Sequence, residues 1–546
     1  MAVGEKDQDI SAGNNESLDD LGGFRQEGAV KKDLESEGRP SSGEQSSAAI
    51  RQPGVQLQKD DNQIVTWTGP DDPENPMNWP LWKKWVTTIA LGSLTLTITF
   101  ASSVFSTATV VTSREFGVSE EVMVLGTSLF VLGFAFGPLI WGPMSEFYGR
   151  KTPLFTCFFI FAIFQIAVAV AQNLYTIMLC RFFGGFFGSA PLGIVGGTFA
   201  DFWAPVDRGI AMCVFAGATF IGPVAGPIIG SFITESYLGW RWTEYITAIM
   251  AFFFGTVAIF IVQETYAPVL LSRRAAKLRY ESGNWALHSK SDENPADIKT
   301  ILFVYLTRPI LMLIMEPILV LMTIYMAFVY GFIYLLFEAY PISFQIDRHW
   351  SSGLAALPFL SITIGVVLGA CGVVWHSKTR VARQVRLKGR VIPEERLIPM
   401  MVGAVLLPGG MFWFAWTSNP SISWVPSVLS GIMTGAGIIL IFLQALNYII
   451  DNYLMNANSA IAANGVLRSG FGAGFPLFAT PMFLKLGVDW ATSLLAFLAV
   501  AMIPVPILFY IFGARIRAKS RYTPKLPLGG PPNIPAGGPR ITAQPS

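Results

Sequence analysis

From residue 85 to residue 513 the chain alternates long apolar runs with short polar links. The runs fall near 85–107, 121–141, 152–171, 177–199, 209–232 and 240–263, then near 309–336, 353–375, 397–417, 422–446, 457–482 and 489–513. At about 1.5 Å of rise per residue, each is long enough to cross a hydrocarbon core of roughly 30 Å. Backbone amides and carbonyls inside a bilayer must bond to one another, so each run is predicted as a helix. The links AQNLYT (171–176) and TSNPSIS (417–423) are so short that the spans they join form hairpins. The expected fold is an all-α polytopic membrane protein with twelve transmembrane helices in two six-helix bundles. The bundles take residues 81–263 and 309–513, a polar linker takes 264–308, and tails take 1–80 and 514–546.

Composition agrees. Hydrophobic residues make up 52% of the 546 and charged residues only 14%, whereas a soluble domain carries roughly 25% charge. The tail over 1–80 holds 16 acidic and 7 basic residues with little apolar periodicity, the composition of a disordered segment. It lacks a basic stretch followed by an apolar core, so no cleavable signal is expected and the first span directs insertion. Basic residues cluster in GRK (149–151), SRRAAKLR (272–279), HSKTRVARQVRLKGR (376–390) and ARIRAKSR (514–521). All four fall on one side if the N-terminus is cytoplasmic, so the positive-inside rule puts both ends in the cytosol. The four cysteines lie in or beside apolar runs and read as small core residues, not disulfides or metal ligands. No nucleotide-binding loop of the Gly-x-x-x-x-Gly-Lys-Ser/Thr type is present.

Charge is concentrated in GPMSEFYGRK (142–151), the link between the second and third runs. Gly142 and Gly149 permit a tight turn and close backbone approach. Glu146 is one helical turn from Arg150. Arg150 and Lys151 are either simple topology anchors or, with Glu146, part of a cytoplasmic gate. In the fifth run Gly222, Gly226 and Gly230 repeat every fourth residue, with Gly217 before them and Pro223 and Pro227 alongside. Such a stripe lets a partner helix approach closely, and the prolines remove backbone hydrogen bonds and allow a kink.

Inside or at the edge of the runs lie Arg181, Glu316, Glu338 and Arg468. A charge at that depth costs at least about 2.5 kcal/mol, which makes each a functional candidate. Arg181 is also near enough to the end of its run to be a snorkelling anchor. Glu316 falls about a third of the way along the seventh run, either as a proton-titrating group or as a lip residue beside Arg308. Histidine offers no coupling group, since His288, His349 and His376 all lie away from mid-span. Tyr330, Tyr334 and Glu338 on the seventh run, Gln444 and Asn447 on the tenth, and Arg468 are the candidate substrate cavity. An aromatic pocket with few polar groups suits amphipathic organic molecules.

GPMSEFYGRK resembles the signature between the second and third spans of the major facilitator superfamily, with Glu146 for the usual Asp and Phe147 for a usual Arg. Further stretches resemble the fungal twelve-span drug:proton antiporters: DPENPMNWP (72–80), FASSVF (100–105), RFFGGFFGSAP (181–191), GPVAGPIIG (222–230), GWRWTEY (239–245), ETYAPVLL (264–271), YLLFEAYP (334–341) and PEERL (393–397). The resemblance implies alternating access between two bundles, proton coupling through Arg181, and a fifth-span hinge and seal between the halves that favours export. The expected activity is proton-linked export of hydrophobic drugs, secondary metabolites or toxins. The alternative is an importer or facilitator of a vitamin, polyamine or sugar on the same fold. The expected partners are the lipid bilayer, protons and one hydrophobic or amphipathic small molecule. The chain is expected to work as a monomer in the plasma membrane, with the vacuolar membrane left open. No cofactor, metal, nucleotide or nucleic acid is expected, and no catalytic residue.

Overall fold

The computed structural model describes residues 63–293, 298–388, 392–453 and 457–522. The acidic tail expected over 1–80 therefore lies outside the described residues up to 62. Among the described residues the chain is almost wholly helical, and its β-pairing is a single isolated bridge between Ile64 and His288.

Among the described residues, eleven helical stretches are long and apolar enough to cross a membrane. The first six are Leu81–Phe116, Glu120–Phe147, Lys151–Ala169, Leu174–Phe202, Asp207–Glu235 and Arg241–Ile261. Pro317–Ile346, Ser352–Gln384, Pro393–Thr417, Trp424–Tyr453 and Ala457–Lys519 follow. The last is two spans, because Gly487 (φ 77°, ψ 160°) leaves the helical region and turns the chain. Twelve crossings result, the number that the apolar pattern predicts.

Helix ends follow local chemistry. Ser119 and Asn173 cap the second and fourth spans through side-chain oxygens that accept from Val122 N and Thr176 N. Gly149, at φ 89°, makes the turn into the third span. Two boundaries differ from the expected ones. The second span runs on to Phe147, so Gly142 and Glu146 are helical and only Gly149 serves the turn. The seventh span begins at Pro317, because a proline disfavours helical backbone at the residue before it. Glu316 is thus the N-cap of that span (φ −108°, ψ 98°), not a residue a third of the way along it.

In the first bundle the first span packs along the fifth, and the fourth packs against the second and third. In the second bundle the tenth span packs against the eighth and ninth, and the seventh lies along the eleventh. Between bundles, the fifth span meets the eighth and the second meets the eleventh. The face carrying residues 149–151 also carries the linker and is called the linker face below.

Residues 63–80, within the segment expected to be disordered, are folded against that linker. Val65 N donates to the His288 carbonyl at 2.8 Å, and Arg274 on the linker helix Ala267–Ser282 pairs with Asp72 at 2.7 Å. Burial works against the Asp72 charge, but hydrogen bonds from Arg274, Thr68 and the Glu74 amide outweigh it. They hold the carboxyl well below the usual carboxylate range.

Candidate functional site: a cavity between the bundles

A cavity with about 900 Å³ of empty space, open solvent at its mouth included, separates the two bundles. It runs from Glu146, Arg150 and Asn458 at the linker face inward to Thr219 and Arg468. Glycines 142, 193, 196, 197 and 465 line it, so backbone stands where side chains would otherwise fill the space.

At the mouth, Arg150 is the hub of a clamp within the first bundle. Its Nε donates to Asp201 Oδ2 at 3.1 Å and its Nη1 to Ser145 Oγ at 2.8 Å. Glu146 is 4.0 Å from the guanidinium and stands one helical turn away. Glu264 accepts from the backbone amides of Arg150 (2.8 Å) and Lys151 (3.1 Å), capping the third span. Lys151 Nζ donates to the Ile259 carbonyl at 2.8 Å. A Cβ on Gly149 would collide with the Glu264 carboxylate, which explains the glycine beyond its positive φ. Across the bundles, Asn458 Nδ2 donates to Glu146. The second bundle repeats the motif: Arg396 Nε donates to Asp451 Oδ2 at 3.1 Å, also from the start of one span to the end of the next.

The far face is closed. Glu235, at the end of the fifth span, accepts from the Ser352 and Gly353 amides at 2.6 and 3.1 Å, so one bundle caps a helix of the other. Phe232 packs on Gly353, and Phe220 meets Phe442 edge-on at 4.6 Å. Ser102 Oγ and Tyr334 Oη, from the first and seventh spans, lie 2.8 Å apart, and Tyr330 Oη is 3.2 Å from Tyr334 Oη.

The fifth-span glycines do not face this interface. A Cβ at Gly222 would strike Thr99, at Gly226 Ser103, and at Gly230 Thr107, all on the first span. The expected seal between halves is therefore packing inside the first bundle. The same helix reaches the other bundle through Phe220, Phe232 and Glu235. Pro223 and Pro227 lie inside one continuous helix, and Gly217 meets open space.

Arg181 is fully buried in the first bundle. It donates to the carbonyls of Gly126 and Ala101, both at 3.0 Å, lies 3.5 Å from Glu244 Oε1, and stacks over Phe130 and Phe105. It is a core ion-pair residue with its charge turned inward, not a snorkelling anchor. Glu316 is buried 3.2 Å from Tyr453 Oη and accepts from the Arg521 amide at 2.9 Å, tying the seventh span to the chain after the twelfth.

Of the residues expected in the substrate cavity, only Arg468 lines it. Tyr330 reaches it through Arg468, whose guanidinium lies 4.9 Å from the Tyr330 ring. Tyr334 and Glu338 line a second, smaller cavity toward the far face, where Thr480 Oγ1 donates to Glu338 at 3.2 Å. Gln444 and Asn447 are buried on the tenth span outside both linings. Sequence reasoning missed Asp201, Glu264, Glu235 and Asp451, and it did not pair Glu244 with Arg181. Each sits at the end of an apolar run, where a carboxylate reads as an ordinary boundary residue.

A sequence model described as the Major Facilitator Superfamily matches residues 91–476. The chain is 58% identical over 463 residues to a citrinin biosynthesis cluster MFS transporter of Monascus ruber, covering 85% of this chain and 93% of that one. It is 53% identical over 469 residues to an ascochitine biosynthesis cluster MFS transporter of Didymella fabae, covering 86% and 91%. The solved proton:xylose symporter XylE shares the fold, with a TM-score of 0.56 at 16% identity over 80% of this chain and 96% of that one. Two six-helix bundles around a central cavity, together with these matches, make this multi-pass membrane transporter a member of the Major Facilitator Superfamily.

Proposed function

We propose that the chain exports small organic secondary metabolites or toxins from the cytosol by alternating access. The observation that carries the reading is a cavity walled by both bundles, reached from the linker face and closed beyond Tyr334 and Glu235. Relatives named for metabolite biosynthesis clusters supply the substrate class. In this reading the linker face and both termini are cytoplasmic, the chain is a plasma-membrane monomer, and the structure is the substrate-loading state. Release requires the Glu235 clamp and the Ser102–Tyr334 contact to part while the linker face closes.

The proton-linked element in this reading is the Arg181–Glu244 pair. Both Glu244 oxygens lack a hydrogen bond, and Arg181 is the carboxylate's charged neighbour. Protonation of Glu244 frees the guanidinium, which also holds the Ala101 carbonyl beside the Ser102 gate contact. Glu316 serves instead to join elements of the second bundle.

The test is transport of a fluorescent amphipathic dye in sealed vesicles of known orientation, with and without a pH gradient. Movement away from the linker face that collapses with the gradient supports a proton-coupled exporter. Movement toward that face makes the chain an importer, and movement indifferent to the gradient removes the proton from the mechanism.

A further inference from the structure

Arg468 is the one cation lining the cavity, among the described residues, that faces no carboxylate. The cavity's other charges, Glu146 and Arg150, lie 4.0 Å apart, and Arg150 also pairs with Asp201. Among the described residues Arg468 has no ion pair or hydrogen bond, and its Nε is buried without an acceptor. What surrounds it is aromatic: the guanidinium carbon lies 4.9 Å from the Tyr330 ring and 5.2 Å from the Phe442 ring.

A half-buried guanidinium whose Nε has no acceptor is costly within a span, and a chain keeps one only where something compensates. The rings offset part of that cost through their negative faces but supply no acceptor for the N–H groups. A guanidinium presents a flat fork of donors that matches a carboxylate in two parallel bonds. Flanking rings then favour a ligand whose carboxylate is attached to a flat apolar body. The nearby polar lining adds little negative charge, since Asn464 donates to Thr323 and Thr219 donates to its own helix.

We propose that Arg468 is the recognition point for a small aromatic organic acid, carried as its anion and seated between Tyr330 and Phe442. This rests on the export reading for its direction but not for the binding itself. The site also touches the closed end of the path. Tyr330 Oη meets Tyr334 Oη, which meets Ser102 across the bundles, so an anion that draws Arg468 away from the Tyr330 ring acts on the residue next to that contact.

The experiment titrates naphthoate, its methyl ester and naphthylmethylammonium into purified full-length protein by calorimetry. Naphthoate is expected to bind at least about tenfold more tightly than either analogue, as a charge-assisted hydrogen bond is worth. Arg468→Gln should lose about tenfold to a hundredfold of naphthoate affinity, with Arg468→Lys between the two. Equal binding of the three probes, unchanged naphthoate binding by Arg468→Gln, or no naphthoate binding overturns the proposal. Should Arg468→Gln fail to fold, the preference of the unaltered protein decides by itself. The vesicle assay separates the two readings. Selective naphthoate binding without outward movement keeps the anion site and ends the export reading. Outward dye movement with no preference for the acid does the reverse.

Discussion

Arg181 and Arg468 are arginines within spans of the two bundles, yet their surroundings are opposite. Arg181 has two carbonyl acceptors at 3.0 Å, a carboxylate at 3.5 Å and two stacked rings, and it lines neither of the two cavities described above. Arg468 has two rings and no acceptor, and it lines the cavity. A buried ion that is fully partnered belongs to the fold, and removing one member strands the other. A half-buried ion left without an acceptor does little for the fold it sits in, so its place is explained by what enters the space beside it. The same residue type is therefore held by the fold in one bundle, where only a change of charge on Glu244 would release it, and is left open for recognition in the other.

The largest expected effect is at Arg181. Arg181→Leu leaves Glu244 as an uncompensated buried charge, and about 3–5 kcal/mol of stability should be lost. Thermal unfolding of the detergent-purified protein checks this, and the double variant Arg181→Leu with Glu244→Leu should recover most of it. If the single variant is as stable as the unaltered chain, the pair is not a core element.

Gly226→Leu forces a side chain into Ser103 and the first-span backbone. Overpacking of this kind costs about 1–3 kcal/mol, and the loss should appear as lower thermal stability. An equal substitution at Gly217, which meets open space, should cost little. Equal losses at the two positions would refute the packing role assigned to the stripe.

Glu235→Gln exchanges a charged acceptor of two amides for a neutral one, weakening the far-face clamp by about 1 kcal/mol. Distances between spin labels on the fifth and eighth spans should then report a larger population open at the far face. No change in those distances would show that Phe232 and Phe220 hold the closure alone.

Asp72→Asn tests a paired carboxylate outside the membrane and should cost about 1 kcal/mol at neutral pH. Its folded-state pKa lies below the unfolded one, so the contribution is complete above about pH 4 and fades only as the pH falls further. Stability of the unaltered chain that drops between pH 7 and pH 5 because of this residue would contradict that order. The smallest effect belongs to Arg468→Leu without ligand. Stability should stay within about 1 kcal/mol or rise, since no acceptor is lost. A large loss there would mean that Arg468 carries structure after all.

The apolar pattern alone determined twelve crossings, two bundles and a linker between them. Those features follow from local rules: run length against bilayer thickness and the need of each backbone to bond itself. The sequence also singled out Arg150, Arg181 and Arg468, because charge among apolar residues stands out in one dimension. It could not supply their partners. Asp201 is 51 residues from Arg150, and Glu244 is 63 from Arg181. Side-chain pairing at that separation depends on how whole helices rotate and cross. For the same reason the glycine stripe of the fifth span was legible while the helix it meets was not. A four-residue period fixes which residues share a face, and only packing in three dimensions decides that this face meets the first span, leaving Phe220 and Glu235 to close the path between bundles.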